Sequence, residues 1–156
     1  MRNHYVIGID AGGTKVAYGL FGEKGELLDR MQHPTDICAD GEAFSDTIAE
    51  NIFALLEKNS LTQADLDGVG ICMPSFILFD EGRILMTSAM PGIKGFPMRD
   101  YLAERIHTHI VLDNDSNAAA LAEYRRGAGR GGRHLVYITA GTGLGSGIVI
   151  DGKLFR

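Results

Sequence analysis

The chain has 156 residues and a formal net charge of −5, with 15 Lys and Arg residues against 20 Asp and Glu residues. Apolar residues make up 45% of the chain, which excludes intrinsic disorder. No apolar run approaches the roughly 20 residues of a membrane-spanning helix. The acidic balance argues against nucleic acid or an anionic membrane as a partner. The two cysteines, Cys38 and Cys72, form no CxxC pair, so we expect reduced thiols in a cytoplasmic protein.

The predicted elements begin with three strands, over residues 5–9, 15–21 and 26–31, which tight turns join into an antiparallel meander. Further on, the pattern predicts a helix over 42–58, a strand over 67–73, a hairpin around 80–82, a helix from Pro97 to about His107, a strand over 110–113, a helix over 115–126, and strands over 134–139, 147–150 and 153–155. Strands with interleaved helices predict an α/β protein. We expect a complete lobe over residues 1–126, then a linker and the opening strands of a second lobe over 127–156.

The turn after the first predicted strand reads DAGGTK over residues 10–15. Glycine leaves backbone N–H groups open to phosphate oxygens, and the lysine adds positive charge. The carboxylate at the strand end can face the Mg²⁺ that accompanies a phosphate group. The order differs from a Walker A loop, in which the lysine opens a helix. A plain hairpin turn is the alternative interpretation.

A second glycine-rich turn, TAGTGLGSG over residues 139–147, also lies between two predicted strands. Its glycines fall at every second position, so the segment fails the dinucleotide pattern G-x-G-x-x-G. A phosphate-type turn repeated at the start of two similar lobes would let two loops hold the phosphates of one nucleotide. The alternative is a hairpin in which the glycines only make the backbone more flexible.

A polar run, DNDSN over residues 113–117, stands where a predicted strand ends and a helix begins. Asp115 or Ser116 can cap that helix. An aspartate there can also accept the proton of a hydroxyl group that attacks a phosphoryl group. Asn114 offers a donor and an acceptor, which suits sugar hydroxyls. Helix capping alone is the alternative.

Together with the longer strings DNDSNAAALAE and ITAGTGLGSGIVIDGKL, these segments resemble the ROK family of bacterial sugar kinases and regulators, from Tyr5 to Phe155. The resemblance implies the actin-like ATPase (ribonuclease H-like) fold, a mixed sheet flanked by helices. It implies phosphorylation of a hexose or N-acetylhexosamine hydroxyl with ATP and Mg²⁺. It further implies a cytoplasmic protein that binds a small sugar substrate, has no nucleic-acid or membrane partner, and forms a homo-oligomer, expected to be a dimer, at full length.

The resemblance also assigns roles to individual residues. Asp115 matches the catalytic base, Asn114 matches a sugar ligand, and Asp10 is expected to hold Mg²⁺ through water. The matches to the two ATP-phosphate motifs are Asp10, Gly12, Gly13, Thr14 and Lys15 in the first, and Thr139, Gly141, Thr142 and Gly143 in the second. The sugar-pocket positions are Pro74, Ser75 and Ala89. Family kinases usually carry Pro-Gly in place of Pro74-Ser75 and a sugar-binding asparagine in place of Ala89, so one polar sugar contact is missing here.

Family members run to about 300 residues, the length of a two-domain chain. The resemblance places a Gly-Glu-x-Gly-His sugar contact, a Cys-rich zinc loop and the adenine pocket beyond Arg156. We therefore expect a fragment that is inactive alone and lacks the family zinc site. Two other functions stay open: a sugar-responsive regulator, for which the start of the fold at Tyr5 leaves no room for a helix-turn-helix, and a non-catalytic sugar-binding lobe.

Overall fold

A computed structural model describes residues 4–87, 89–141 and 143–156. By their contacts, the residues divide into two compact units, one up to Leu112 and the other from Asp113 to Arg156. The elements are β1 (Tyr5–Ala11), β2 (Lys15–Phe21), β3 (Leu27–Pro34), α1 (Gly41–Lys58), β4 (Leu66–Met73), β5 (Ser75–Leu78), β6 (Arg83–Thr87), α2 (Met98–Ile106), β7 (Ile110–Asn114), α3 (Asp115–Arg126), β8 (Leu135–Ala140), β9 (Leu144–Ile150) and β10 (Lys153–Phe155), with short 3₁₀ helices at Gln63–Asp65 and Pro91–Ile93.

The first unit is built on a five-stranded sheet with the strand order β3-β2-β1-β4-β7. Strands β1, β2 and β3 pair antiparallel, which confirms the predicted meander. Strand β4 pairs with β1 in parallel, so the sheet is mixed. Strands β5 and β6 form a separate two-stranded hairpin around the predicted turn. This mixed sheet with its helices confirms the α/β class.

Helix α1 follows the predicted apolar spacing and contributes one face to the core of the first unit. Asp40 caps its start, because the carboxylate accepts the N–H of Ala43 at 2.9 Å. Each fully buried Ile or Leu side chain contributes about 1.5–3 kcal/mol relative to an exposed one. The buried apolar residues with the largest side chains on this face are Phe44, Ile48, Ile52, Leu55 and Leu56.

Two polar clusters join α1 to its neighbours. Tyr101 and Arg105 of α2 both donate to the carboxylate of Asp46, at 3.0 and 2.7 Å. At the other end of α1, Lys58 and Asn59 donate to the carboxylate of Asp29 on β3, each at 2.9 Å. These hydrogen bonds, with that of Lys58 the largest cause, lower the pKa of Asp29 from 3.8 to about 2.

The second unit packs α3 on an antiparallel sheet with the strand order β10-β9-β8. Glycine allows this close approach, because a Cβ atom at Gly147 would lie 2.4 Å from the Ser116 carbonyl oxygen and 2.5 Å from the Ala120 Cβ atom. On alternate positions of β8, Val136 and Ile138 are 62% and 64% exposed. One face of this small sheet is therefore covered by α3, while apolar side chains on β8 reach solvent.

The structure moves several predicted boundaries. Helix α2 begins at Met98 with Pro97 as its N-cap residue, whereas we expected Pro97 inside the first turn. Strand β9 begins at Leu144, three residues earlier than predicted, and includes two glycines. By contacts, α3 groups with the second unit because it packs on β8 and β9. The division into lobes over 1–126 and 127–156 stays a prediction. No helix in the described part of the chain is long and apolar enough to span a bilayer.

Candidate functional site

Asp10 lies near the carboxyl end of β1 and is exposed. Its register partner on the parallel strand β4 is Cys72, whose Sγ atom lies 3.9 Å from the Asp10 Oδ1 atom. Because parallel neighbours end at the same edge of a sheet, the turn after β1 and the Pro74-Ser75 segment after β4 emerge on one side. The sheet thus brings the predicted metal carboxylate close to one of the predicted sugar segments.

The first glycine turn is a tight connection from β1 to β2. The N–H group of Gly12 donates to the carbonyl oxygen of Lys15 at 3.0 Å, and Gly13 and Thr14 form its exposed tip. The residue after β3, Thr35, binds this turn twice. Its hydroxyl donates to the Gly12 carbonyl oxygen at 2.6 Å, and its N–H donates to the Thr14 carbonyl oxygen at 3.0 Å.

The predicted sugar position Ala89 lies against this same turn. A Cβ atom added to Gly13 would lie 3.2 Å from the Ala89 Cβ atom. Thr87 links Ala89 to the segment after β4, because its hydroxyl accepts the Ala89 N–H at 3.3 Å and donates to the Pro74 carbonyl oxygen at 3.2 Å. Ser75 is only 5% exposed. The first unit therefore gathers Asp10, the first glycine turn and the predicted sugar positions at one edge.

Sequence reasoning missed Thr35 and Thr87 in this cluster. Both are single threonines at the ends of strands, with no motif around them. Their role depends on backbone carbonyl groups that lie 23 and 13 residues away along the chain. No local signal in the sequence identifies such partners.

In the second unit, Asp115 is the first residue of α3 and is half-buried. Its Oδ1 atom accepts the N–H of Ser116 at 2.8 Å, and the Ser116 hydroxyl lies 3.4 Å from the same atom. Within the described residues, the Oδ2 atom has no hydrogen-bond partner. The carboxylate is thus held by one oxygen and presents the other, an arrangement suited to accepting a proton.

Asn114 is the N-cap residue of α3, so the prediction that Asp115 or Ser116 caps this helix is wrong. The Oδ1 atom of Asn114 accepts the N–H groups of Ser116 at 2.8 Å and Asn117 at 3.3 Å. The chain turns at Asn114, because the backbone of this residue is extended while the next residue is helical. The Oδ1 atom of Asn114 is therefore engaged in capping α3.

Asp113 is buried just before this cap, with 8% of its surface exposed. Its Oδ1 atom accepts the side-chain amide of Asn117 at 2.9 Å. Its Oδ2 atom accepts hydrogen bonds from the Arg156 guanidinium, and the shortest distance between them is 2.7 Å. A buried carboxylate needs such partners, because desolvation without them is costly. The polar run 113–117 therefore combines helix capping, a partly buried ion pair and one presented carboxylate.

The second glycine turn joins β8 to β9 through residues 141–143, and the Gly141 N–H donates to the Gly143 carbonyl oxygen at 2.9 Å. No described atom comes within 4 Å of a Cβ atom placed on Gly141 or Gly143. At Gly145, by contrast, that atom would lie 2.2 Å from the Ser116 hydroxyl oxygen and 2.9 Å from the Thr139 Cγ2 atom. The predicted phosphate ligand Thr142 lies outside the described residues.

This contrast divides the glycines of residues 139–147 into two roles. Gly141 and Gly143 form an open turn, as a phosphate-binding loop requires. Gly145 and Gly147 instead let α3 approach β9, which brings the residue next to Asp115 against the strand that leaves the turn. The second unit thus places the candidate base and the second phosphate turn in one packed substructure.

The metal prediction rests on Asp10. Among the residues that the structure describes, no three His, Cys, Asp or Glu side chains group as a metal-binding cluster. A single exposed carboxylate fits Mg²⁺, which keeps several waters and binds through one or two carboxylates together with substrate phosphates.

Comparisons with known proteins extend these observations. A family model described as the ROK family matches residues 6–156. The glucokinase of Halalkalibacterium halodurans is 34% identical over 156 residues, which make up 100% of this chain and 47% of that protein. The N-acetyl-D-glucosamine kinase of Vibrio parahaemolyticus is 33% identical over 150 residues, or 95% of this chain and 47% of that protein. The chain therefore spans about half the length of these curated relatives, which each match it over 47% of their own residues.

Among solved structures, the ROK family glucokinase from Streptomyces griseus, in complex with glucose and AMPPNP, has a TM-score of 0.80 at 35% identity. The match covers 97% of this chain and 46% of that one. The structural neighbours are sugar kinases with the actin-like ATPase fold, and this chain corresponds to their N-terminal part. The predicted fold is therefore confirmed.

Proposed function

Because the chain belongs to the ROK family, we propose that it provides the N-terminal part of an ATP-dependent kinase for a hexose or N-acetylhexosamine. The observation that carries this proposal is the presented carboxylate of Asp115, at the start of the helix that packs on β9, the strand that follows the open glycines Gly141 and Gly143. Phosphoryl transfer to an alcohol needs a carboxylate that accepts the hydroxyl proton and a turn whose N–H groups donate to phosphate oxygens.

In this mechanism, Asp115 accepts the proton of the attacking sugar hydroxyl on its Oδ2 atom, while the Ser116 N–H holds the Oδ1 atom in place. Asn114 orients the sugar through its amide donor. The glycine turns over 10–15 and 139–143 offer N–H groups to phosphate oxygens. Asp10 would hold Mg²⁺ through water, and when bound that ion neutralises charge on the transferred group.

Of the sugar positions in the first unit, position 89 is more apolar than in the family pattern. Ala89 has no polar side-chain atom, and Ser75 is buried. Contacts to the sugar from this edge therefore come from backbone groups of the segment at Pro74-Ser75. The proposal includes a cytoplasmic enzyme that forms a homo-oligomer, with a dimer expected, at full length.

The test is a panel of hexoses and N-acetylhexosamines with ATP and Mg²⁺, assayed on the full-length protein by coupled ADP release. Asp115→Asn preserves the volume and the acceptor for the Ser116 N–H but removes the proton acceptor. We expect kcat to fall by about 10²–10⁴-fold, the usual contribution of a general base. Sugar binding, measured by calorimetry, should change little.

Asp80→Asn is the matched control, because it makes the same substitution at an exposed residue of the β5–β6 turn. Its turnover should equal that of the unmodified protein. Retained turnover in Asp115→Asn would remove Asp115 from the role of base. Sugar binding without turnover on any sugar would instead favour the regulator or the non-catalytic lobe.

A further inference from the structure

Thr35 donates hydrogen bonds to two carbonyl groups of the first glycine turn. Its hydroxyl binds the Gly12 oxygen at 2.6 Å, and its N–H binds the Thr14 oxygen at 3.0 Å. Both hydrogen bonds come from this single residue. Thr35 is itself only half-exposed, so its hydrogen bonds are partly shielded from water.

The direction of these carbonyl groups fixes the direction of the N–H groups that follow them. The described chain has no cis peptide bond. In a trans peptide, the carbonyl group and the next N–H point in opposite directions across one plane. The N–H of Gly13 therefore points away from Thr35. Among the described residues it finds no acceptor, and Gly13 is exposed.

A second contact holds the same peptide from another direction. Gly13 lies against Ala89, so close that a Cβ atom on Gly13 would come within 3.2 Å of the Ala89 methyl group. The turn is thus hydrogen-bonded by Thr35 and limited sterically by Ala89. Such a turn keeps its donor oriented before any ligand arrives, which reduces the entropy lost on binding.

We propose that Thr35 is a positioning residue for the first phosphate turn, which orients the Gly13 N–H toward a phosphate oxygen of the nucleotide. This inference rests on the proposed function, because it assumes that the turn binds phosphate. Thr35 does not contact the nucleotide in this proposal. It acts through the Gly12–Gly13 peptide.

Thr35→Val tests the proposal, because valine keeps the shape and the backbone N–H but loses the hydroxyl. We expect KM for ATP to rise about tenfold, the effect of one lost hydrogen bond. KM for the sugar should change less than twofold, as a rough limit for a site that keeps its contacts. Thr35→Ser retains the hydroxyl and should restore KM for ATP. A purely structural role would affect both substrates alike and would not separate them.

Thr47→Val is the matched control. Its hydroxyl also donates to a backbone carbonyl, that of Ala43 at 3.0 Å, but on the exposed surface of α1. It should leave both KM values unchanged. If Thr35→Val does not fold, Thr35→Ala removes the hydroxyl without adding volume and takes its place.

The outcomes separate this inference from the proposed function. Equal KM values for ATP in Thr35→Val and the unmodified protein, or no rescue by Thr35→Ser, would overturn the inference and leave the kinase proposal intact. If no sugar is phosphorylated, calorimetric titration with Mg²⁺ and AMPPNP decides: weaker binding by Thr35→Val supports the inference, and no binding by the unmodified protein overturns it.

Discussion

A methyl group at Gly147 has no room between β9 and α3. The added Cβ atom would lie 2.4 Å from the Ser116 carbonyl oxygen and 2.5 Å from the Ala120 Cβ atom, about 1 Å inside ordinary contact. Both neighbours are backbone or Cβ atoms of one helix, so no side-chain rotation relieves the contact. Gly147→Ala should therefore force α3 away from the strand, at the usual overpacking cost of about 1–3 kcal/mol.

Thermal unfolding followed by circular dichroism measures this cost. At roughly 2–4 °C per kcal/mol for a chain of this size, Tm should fall by about 2–12 °C. Gly143→Ala is the matched control, because the same substitution four residues earlier meets no described atom within 4 Å. Gly147 does not have the positive φ that would strain alanine. Equal changes in Tm for the two variants would refute the assignment of Gly147 to helix packing.

Two further predictions concern polar contacts. The pKa of Asp29, lowered to about 2 by Lys58 and Asn59, means that its ionised form stabilises the fold; this stabilisation is complete above about pH 4 and should be lost as pH falls toward 2. Urea unfolding measured across that pH range should show a smaller loss of unfolding free energy in Asp29→Asn than in the unmodified protein, with Glu50→Gln as the control. Parallel curves of unfolding free energy against pH would contradict the prediction. Asn114→Ala, which removes the cap, should lower the free energy of unfolding by about 0.5–2 kcal/mol, and Asn114→Ser by only a few tenths. Equal losses of Tm in the two variants would show that another residue caps α3.

The sequence predicted the regular elements well where the local signal agreed with the packing. The apolar spacing of α1 predicted its length to within one residue, because the face that the pattern defines is the face that is buried. The meander of β1–β3 followed from short apolar runs separated by turn residues. These features depend on neighbours in the chain, which is the information that a pattern of residues contains.

The candidate site residues were only partly predictable. The glycines of residues 139–147 form one string in the sequence, but open space at Gly141 and Gly143 and helix contact at Gly145 and Gly147 separate them in the structure. The cap of α3 was assigned wrongly because the run from Asp113 to Asn117 offers five residues that can cap, and only backbone direction selects Asn114. Thr35 and Thr87 gain their roles from distant carbonyl groups.

The contact between Gly13 and Ala89 has an evolutionary consequence. A mutation that enlarged residue 89 to gain a new interaction with an acceptor molecule would press directly on the turn at residue 13. A substitution at position 89 that favours a new substrate therefore requires a compensating change in the first turn. We expect the two positions to change together among descendants of this protein.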